Sequence, residues 1–209
     1  MVALGRRGFI VAAGSAAAHA LSGDEKTVDG GFADISWPGS PQRTCPVLPP
    51  GSGGADRLGR TCVGCQLCVA QCPNGVLRPS KGAGRMFLPE MGFERGYCRP
   101  ECTTCGDVCP AGAIRRFTPE EKRNIHVGHA VWSKDRCLAA TEGVTCTACQ
   151  RHCPVNAIVL EPLDSSDKAS PKVPVVDEAR CIGCGACEHL CPARPMPAMT
   201  VEGLERHIG

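Results

Sequence analysis

The sequence predicts an α+β fold in which four short strand–loop–helix units form two pseudo-symmetric modules around a small core. Three observations lead there. Of the 17 cysteines in 209 residues, 16 fall into four groups of four, each closed by a Cys-Pro pair. The last cysteines of these groups, Cys72, Cys109, Cys153 and Cys191, recur at steps of 37, 44 and 38 residues, and a short apolar stretch follows each. The chain carries 25 Gly and 18 Pro but only five Phe, two Trp and one Tyr. That is too little large side-chain volume for a hydrocarbon core of long helices or strands.

Residues 1–20 read as an export signal. Arg6-Arg7 is followed by Gly8-Phe9-Ile10 and a small-residue stretch, Val11 to Ala18, with Gly5 where twin-arginine signals usually have Ser or Thr. Ala18-His19-Ala20 has the form of a cleavage site. The apolar stretch is about ten residues, half of what a bilayer span needs. Residues 21–60 are rich in Gly, Pro, Ser and Asp and form an arm or linker, with Trp37 as the natural anchor if the arm wraps the domain. The four-motif domain then occupies 61–209, with motifs at 62–73, 98–110, 137–154 and 181–192. Apolar stretches follow the motifs at Gly75-Val76-Leu77, Ala113-Ile114, Ala157 to Leu160 and Ala198 to Val201. Strands are expected before the later motifs, at Ile125 to Trp132 and Val173 to Val176.

The first motif is Cys62, Cys65, Cys68 and Cys72. The fourth is Cys181, Cys184, Cys187 and Cys191, and both read C-x2-C-x2-C-x3-C-P, the spacing of bacterial ferredoxins. The second (Cys98, Cys102, Cys105, Cys109) and third (Cys137, Cys146, Cys149, Cys153) keep C-x2-C-x3-C-P and displace only the leading cysteine, to x3 and x8. Three closely spaced thiolates wrap a loop around one [4Fe-4S] cube. The fourth, expected on a short helix, points away and ligates the other cluster of a pair. Four motifs therefore supply thiolates for four [4Fe-4S] clusters, in two bacterial-type 2[4Fe-4S] ferredoxin modules. A disulfide scaffold would not repeat C-x2-C-x3-C-P four times, and structural zinc wants paired C-x2-C sets separated by a longer loop. Export of a folded protein by the twin-arginine route suits this chemistry, since so many thiols threaded unfolded would meet the oxidising periplasm. Cys45 is left over, as a spare loop cysteine.

The twin arginines, Pro49-Pro50-Gly51 ahead of the first motif and the x8 gap in the third resemble the periplasmic polyferredoxins typified by the nitrate reductase accessory ferredoxin (NapG-type) and the methylamine-utilisation ferredoxin-type proteins. Cys62 to Cys68 and Cys105 to Ile114 are similar to ferredoxin domains of multi-cluster membrane electron-transfer proteins. The resemblance implies a protein peripheral to the inner membrane that relays electrons from a membrane-bound quinol-oxidising or polyferredoxin partner toward a periplasmic reductase or cytochrome. An alternative is the iron–sulfur subunit of a molybdenum-type oxidoreductase, although such subunits usually lack their own export signal.

No dinucleotide loop, P-loop or nucleophile–base set stands out, so the chain reads as an electron carrier and not an enzyme. His126 and His129 could form a ligand pair on a helix, but strand or surface positions fit them better; Asp107 and Glu188, beside cysteine loops, read as solvated. A net charge of +2 gives no basic field for nucleic acid. Cleavage after Ala20 removes Arg6 and Arg7, and four clusters then bring the holoprotein to roughly −8, which favours positively charged partner surfaces. For pairing, the two regular motifs lie at the ends and four-cluster electron-transfer subunits are nested. The expectation is therefore nested: Cys191 with Cys62, Cys65 and Cys68; Cys72 with Cys181, Cys184 and Cys187; Cys153 with Cys98, Cys102 and Cys105; Cys109 with Cys137, Cys146 and Cys149.

Overall fold

A computed structural model describes residues 41–82, 84–167 and 169–209. The twin-arginine segment, Trp37 and the first half of the Gly/Pro-rich stretch lie outside the described residues. Helix α1 (Ala55–Thr61) leads into the first cysteine loop and α2 (Leu67–Ala70) carries that loop's third cysteine. Strands β1 (Leu77–Pro79) and β2 (Pro89–Met91) form an antiparallel hairpin with Leu77 opposite Met91. Short helices α3 (Thr104–Asp107) and α4 (Pro119–Lys122) follow. Then come β3 (His126–Trp132), a 3-10 turn (Lys134–Arg136), α5 (Leu138–Thr141) and α6 (Ala148–Arg151). Strands β4 (Ile158–Pro162) and β5 (Lys172–Val176), helix α7 (Ala186–His189) and strand β6 (Met199–Ile208) complete the order.

The C-terminal half places each expected strand. β4 and β5 pair as the inner hairpin between the third and fourth motifs, and β3 closes against β6 with Ala130 opposite Val201. In the N-terminal half the inner hairpin, β1–β2, is present. The outer pair is reduced to one bond, from Arg115 N–H to Gly51 C=O at 2.9 Å. Two expectations of the repeat therefore fail here: helix α1, not a strand, precedes the first motif, and Ala113-Ile114 is buried without forming a strand. The cause is local. Pro49 and Pro50 have no N–H to give a ladder, and Gly51 sits in the left-handed region at φ 82°.

Residues 45–47 tie the two halves together. Val47 C=O accepts from Met91 N–H of β2 at 2.7 Å, and Cys45 C=O accepts from Gly203 N–H of β6 at 3.0 Å. A Cβ on Gly203 would collide with the Pro46 carbonyl, so this approach requires glycine. Val76, Met91, Phe93, Ile114, Ile125 and Val127 share a buried cluster with Val201 of β6, so the halves also share apolar core. A second cluster joins Ala130, Ile158 and Met199 to Cys149, Cys181 and Cys187. Cysteine side chains thus fill core volume that aromatic residues fill elsewhere. Among the described residues no helix is long and apolar enough to cross a membrane.

Candidate iron–sulfur sites

Each motif puts its third cysteine (Cys68, Cys105, Cys149, Cys187) on a one-turn helix. The fourth cysteine falls just past that helix, not on it as the spacing suggested, at the point where the chain turns out through Cys-Pro. That position lets it leave its own loop and reach the neighbouring one.

Three cavities show where it goes. One is lined by Cys62, Cys65, Cys68 and Cys109 (site I). Another is lined by Cys98, Cys102, Cys105 and Cys72 (site II). A third is lined by Cys137, Cys146, Cys149 and Cys191 (site III). Their empty volumes are about 350, 340 and 320 Å³, close enough to suit one common guest. The remaining four, Cys181, Cys184, Cys187 and Cys153, make site IV: a charge on Cys153 acts on each of the other three. All 16 motif cysteines are therefore gathered into quartets, and Cys45 stands apart, half-buried, with its Sγ 3.9 Å from Pro46 C=O.

The pairing is sequential. First crosses with second and third with fourth, which overturns the nested expectation. The fold of the connections decides it. The segment between Cys72 and Cys98 forms the β1–β2 hairpin and brings consecutive loops straight back onto each other, and β4–β5 does the same for the later pair. The segment between Cys109 and Cys137 instead sends β3 to pair with β6. Sites II and IV meet where the halves join, since Cys98 N–H donates to Cys184 C=O at 2.9 Å. Neighbouring thiols also couple site I to II through Cys68 and Cys105, and III to IV through Cys149 and Cys187. The order along the molecule is I–II–IV–III.

These quartets fit a [4Fe-4S] cube. Among the described residues no three His, Cys, Asp or Glu side chains converge to hold a single ion; the thiols surround a cavity instead. Backbone N–H groups point at the crossing sulfurs of three sites. Ile114 donates to Cys109 Sγ at 3.4 Å, Ala157 to Cys153 Sγ at 3.2 Å and Ala198 to Cys191 Sγ at 3.2 Å, and each donor belongs to the apolar stretch after a Cys-Pro. Such bonds stabilise sulfur-centred negative charge. Burial, with repulsion from neighbouring thiolates behind it, pushes Cys68 and Cys149 up to about 11 and Cys105 and Cys184 to about 12. Packed thiols of this kind stay protonated alone, so loading of iron must displace protons.

The other polar residues fall differently from expectation. Glu188 is not solvated but 4% exposed, held by the Arg43 guanidinium and by Val201 N–H at 2.7 Å. Burial raises its carboxyl above the usual range even so. Asp107 is exposed and accepts from Thr103 Oγ1 at 2.8 Å. His126 and His129 both lie on strand β3 and not on a helix, with His126 Nδ1 2.9 Å from Cys181 C=O. Lys122 escaped the sequence reading altogether. It is 4% exposed, lines site II, and donates from Nζ to the carbonyls of Arg99 and Cys102 at 2.6 Å each. The one sequence signal was Thr118-Pro119-Glu120-Glu121, whose capping box starts α4 and fixes where its last residue points.

Comparison with known proteins agrees with this geometry. Residues 61–114 and 143–194 each match the 4Fe-4S dicluster domain family; the first match spans the first two motifs whole, and the second spans the fourth motif and the third from Cys146 onward. The methylamine utilization ferredoxin-type protein MauM of Paracoccus denitrificans is 34% identical over 171 residues, covering 78% of this chain and 75% of its own. The ferredoxin-type protein NapF of Escherichia coli is 31% identical over 161 residues, covering 77% of this chain and 87% of its own. Among solved structures, a chain of the formate dehydrogenase–heterodisulfide reductase–formylmethanofuran dehydrogenase complex of Methanospirillum hungatei aligns at 19% identity with a TM-score of 0.28, over 71% of this chain and 51% of that one. With two dicluster domains and relatives of this identity and coverage, the chain belongs to the ferredoxin-type iron–sulfur electron carriers.

Proposed function

We propose that this protein carries four [4Fe-4S] clusters, one per cysteine quartet, and relays electrons between a membrane quinol-linked partner and a periplasmic redox enzyme. The observation that carries the reading is the run of quartets I–II–IV–III, joined at its middle by the Cys98 N–H to Cys184 C=O bond. Each cluster supplies a one-electron site, and the chain's contribution is to hold neighbouring sites close and mostly out of water. Both ends of the run are open to partners. At site I Cys65 is exposed, with Val63, Leu67, Met86 and Phe87 exposed around the loop. At site III Cys146 borders a groove with Val144, Thr147 and Lys172. An apolar rim around an exposed ligand suits transient docking of another redox protein.

Relatives named for methylamine utilisation and for the NapF protein support a role beside an oxidoreductase, and the twin arginines support a periplasmic one. Subunits of molybdenum-type oxidoreductases usually lack their own export signal, so this chain's own Arg6-Arg7 favours the free-standing carrier. Membranes supplied with quinol should reduce the oxidised holoprotein, read as bleaching of its visible absorbance. A holoprotein that bleaches with dithionite but stays oxidised beside quinol-supplied membranes would contradict the relay while leaving the clusters in place.

A further inference from the structure

Lys122 is the one Lys or Arg among the buried residues described. Among the described residues it takes part in no salt bridge. Its Nζ caps two carbonyls that flank the second cysteine loop, Arg99 and Cys102, and its charge also favours the thiolates of Cys98 and Cys105. A buried ammonium without a counter-ion is strongly unfavourable. The thiols of the site II cavity that it lines would supply negative charge on holding a cluster.

The contrast with the other sites sharpens this. The crossing thiols of sites I, III and IV accept backbone N–H bonds, whereas Cys72 of site II accepts none among the described residues. The other deeply placed cation, Arg43, is already neutralised by Glu188. Site II therefore lacks a peptide dipole on its crossing thiol and has instead a full positive charge beside Cys98 and Cys105.

We propose that Lys122 is the built-in counter-charge of site II and makes its cluster the most readily reduced of the four. The proposal rests on the four-cluster reading above. Taking up one electron carries a cluster with its four thiolates from a net charge of about −2 to about −3, with no proton moved and no bond broken. A fixed ammonium in a low-dielectric pocket stabilises the second state more than the first. Since site II sits inside the run, beside the junction with site IV, electrons entering at either end would come to rest there first.

The test is a potentiometric titration followed by EPR on the full-length holoprotein, with iron and sulfide counted in parallel. In Lys122→Gln, which keeps N–H donors for the two carbonyls, the highest of the four midpoint potentials should fall. The expected loss is at least about tenfold in the reduction equilibrium, about 59 mV for one electron, with the other three couples unmoved. Lys122→Arg should restore it. Four unchanged couples in a fully loaded Lys122→Gln protein would overturn the proposal, as would an equal shift in Lys122→Arg or movement of a couple other than the highest. Should Lys122→Gln lose one cluster outright, retention of that cluster in Lys122→Arg supports the counter-charge, and its loss there as well overturns it. A wild-type protein with fewer than four couples would instead contradict the four-cluster reading beneath it.

Discussion

Cys109 belongs by sequence to the second motif and by position to the first cavity, so its removal should act on the cluster that Cys62 also holds. Cys62→Ser and Cys109→Ser are each expected to perturb the same one of four redox couples, and the double variant no further couple. Titrations in which the double variant disturbs two couples would contradict the crossing. The four cysteine groups were legible because each falls within a segment of at most 17 residues closed by Cys-Pro. Glu188 and Lys122 were not. Glu188 is buried by Arg43, 145 residues away in sequence, and Lys122 by the second cysteine loop, 20 residues upstream at Cys102. A charged residue beside a cysteine loop looks solvated until the segment that covers it is placed.

Strands β3 and β5 could be read ahead of the structure, since β-branched Val recurs in both (Val127 and Val131; Val173, Val175 and Val176) and β3 ends on Trp132. The missing outer strand pair of the N-terminal half could not, because the effect of Pro49-Pro50-Gly51 on that ladder shows only once Gly51 is placed opposite Arg115. Strand β6 carries a pH liability. Burial without a hydrogen-bond partner lowers His207 to about 4 from 6.5. A histidine whose folded value lies below its unfolded value favours the native state above about pH 6.5, and this contribution is lost as pH falls from there toward 4. The loss should reach about 2 kcal/mol at pH 5. His207→Leu should therefore show a flatter fall in stability between pH 7 and pH 5 than wild type, measured by denaturant unfolding. Parallel pH profiles for the two proteins would contradict the burial of a neutral ring.

The molecule as a whole is two ferredoxin-like halves stitched by residues 45–47 and by a shared apolar cluster around Val201. Motif type suggested nesting; the hairpins between consecutive motifs decide for sequential crossing, because each folds its two flanking cysteine loops onto each other while β3, between the second and third motifs, pairs with β6. The proposed export of this folded unit belongs to the same scale. Changing Arg6 and Arg7 together to Lys should hold the protein in the cytoplasm with its clusters intact, read by fractionation and visible absorbance, and normal export of that variant would contradict the twin-arginine assignment. The central claim is that the 16 motif thiols hold iron and sulfide. Iron and acid-labile sulfide counted on the anaerobically purified full-length protein test it most directly. About 16 of each per chain are expected; stoichiometric zinc, or disulfides with no sulfide, would contradict it.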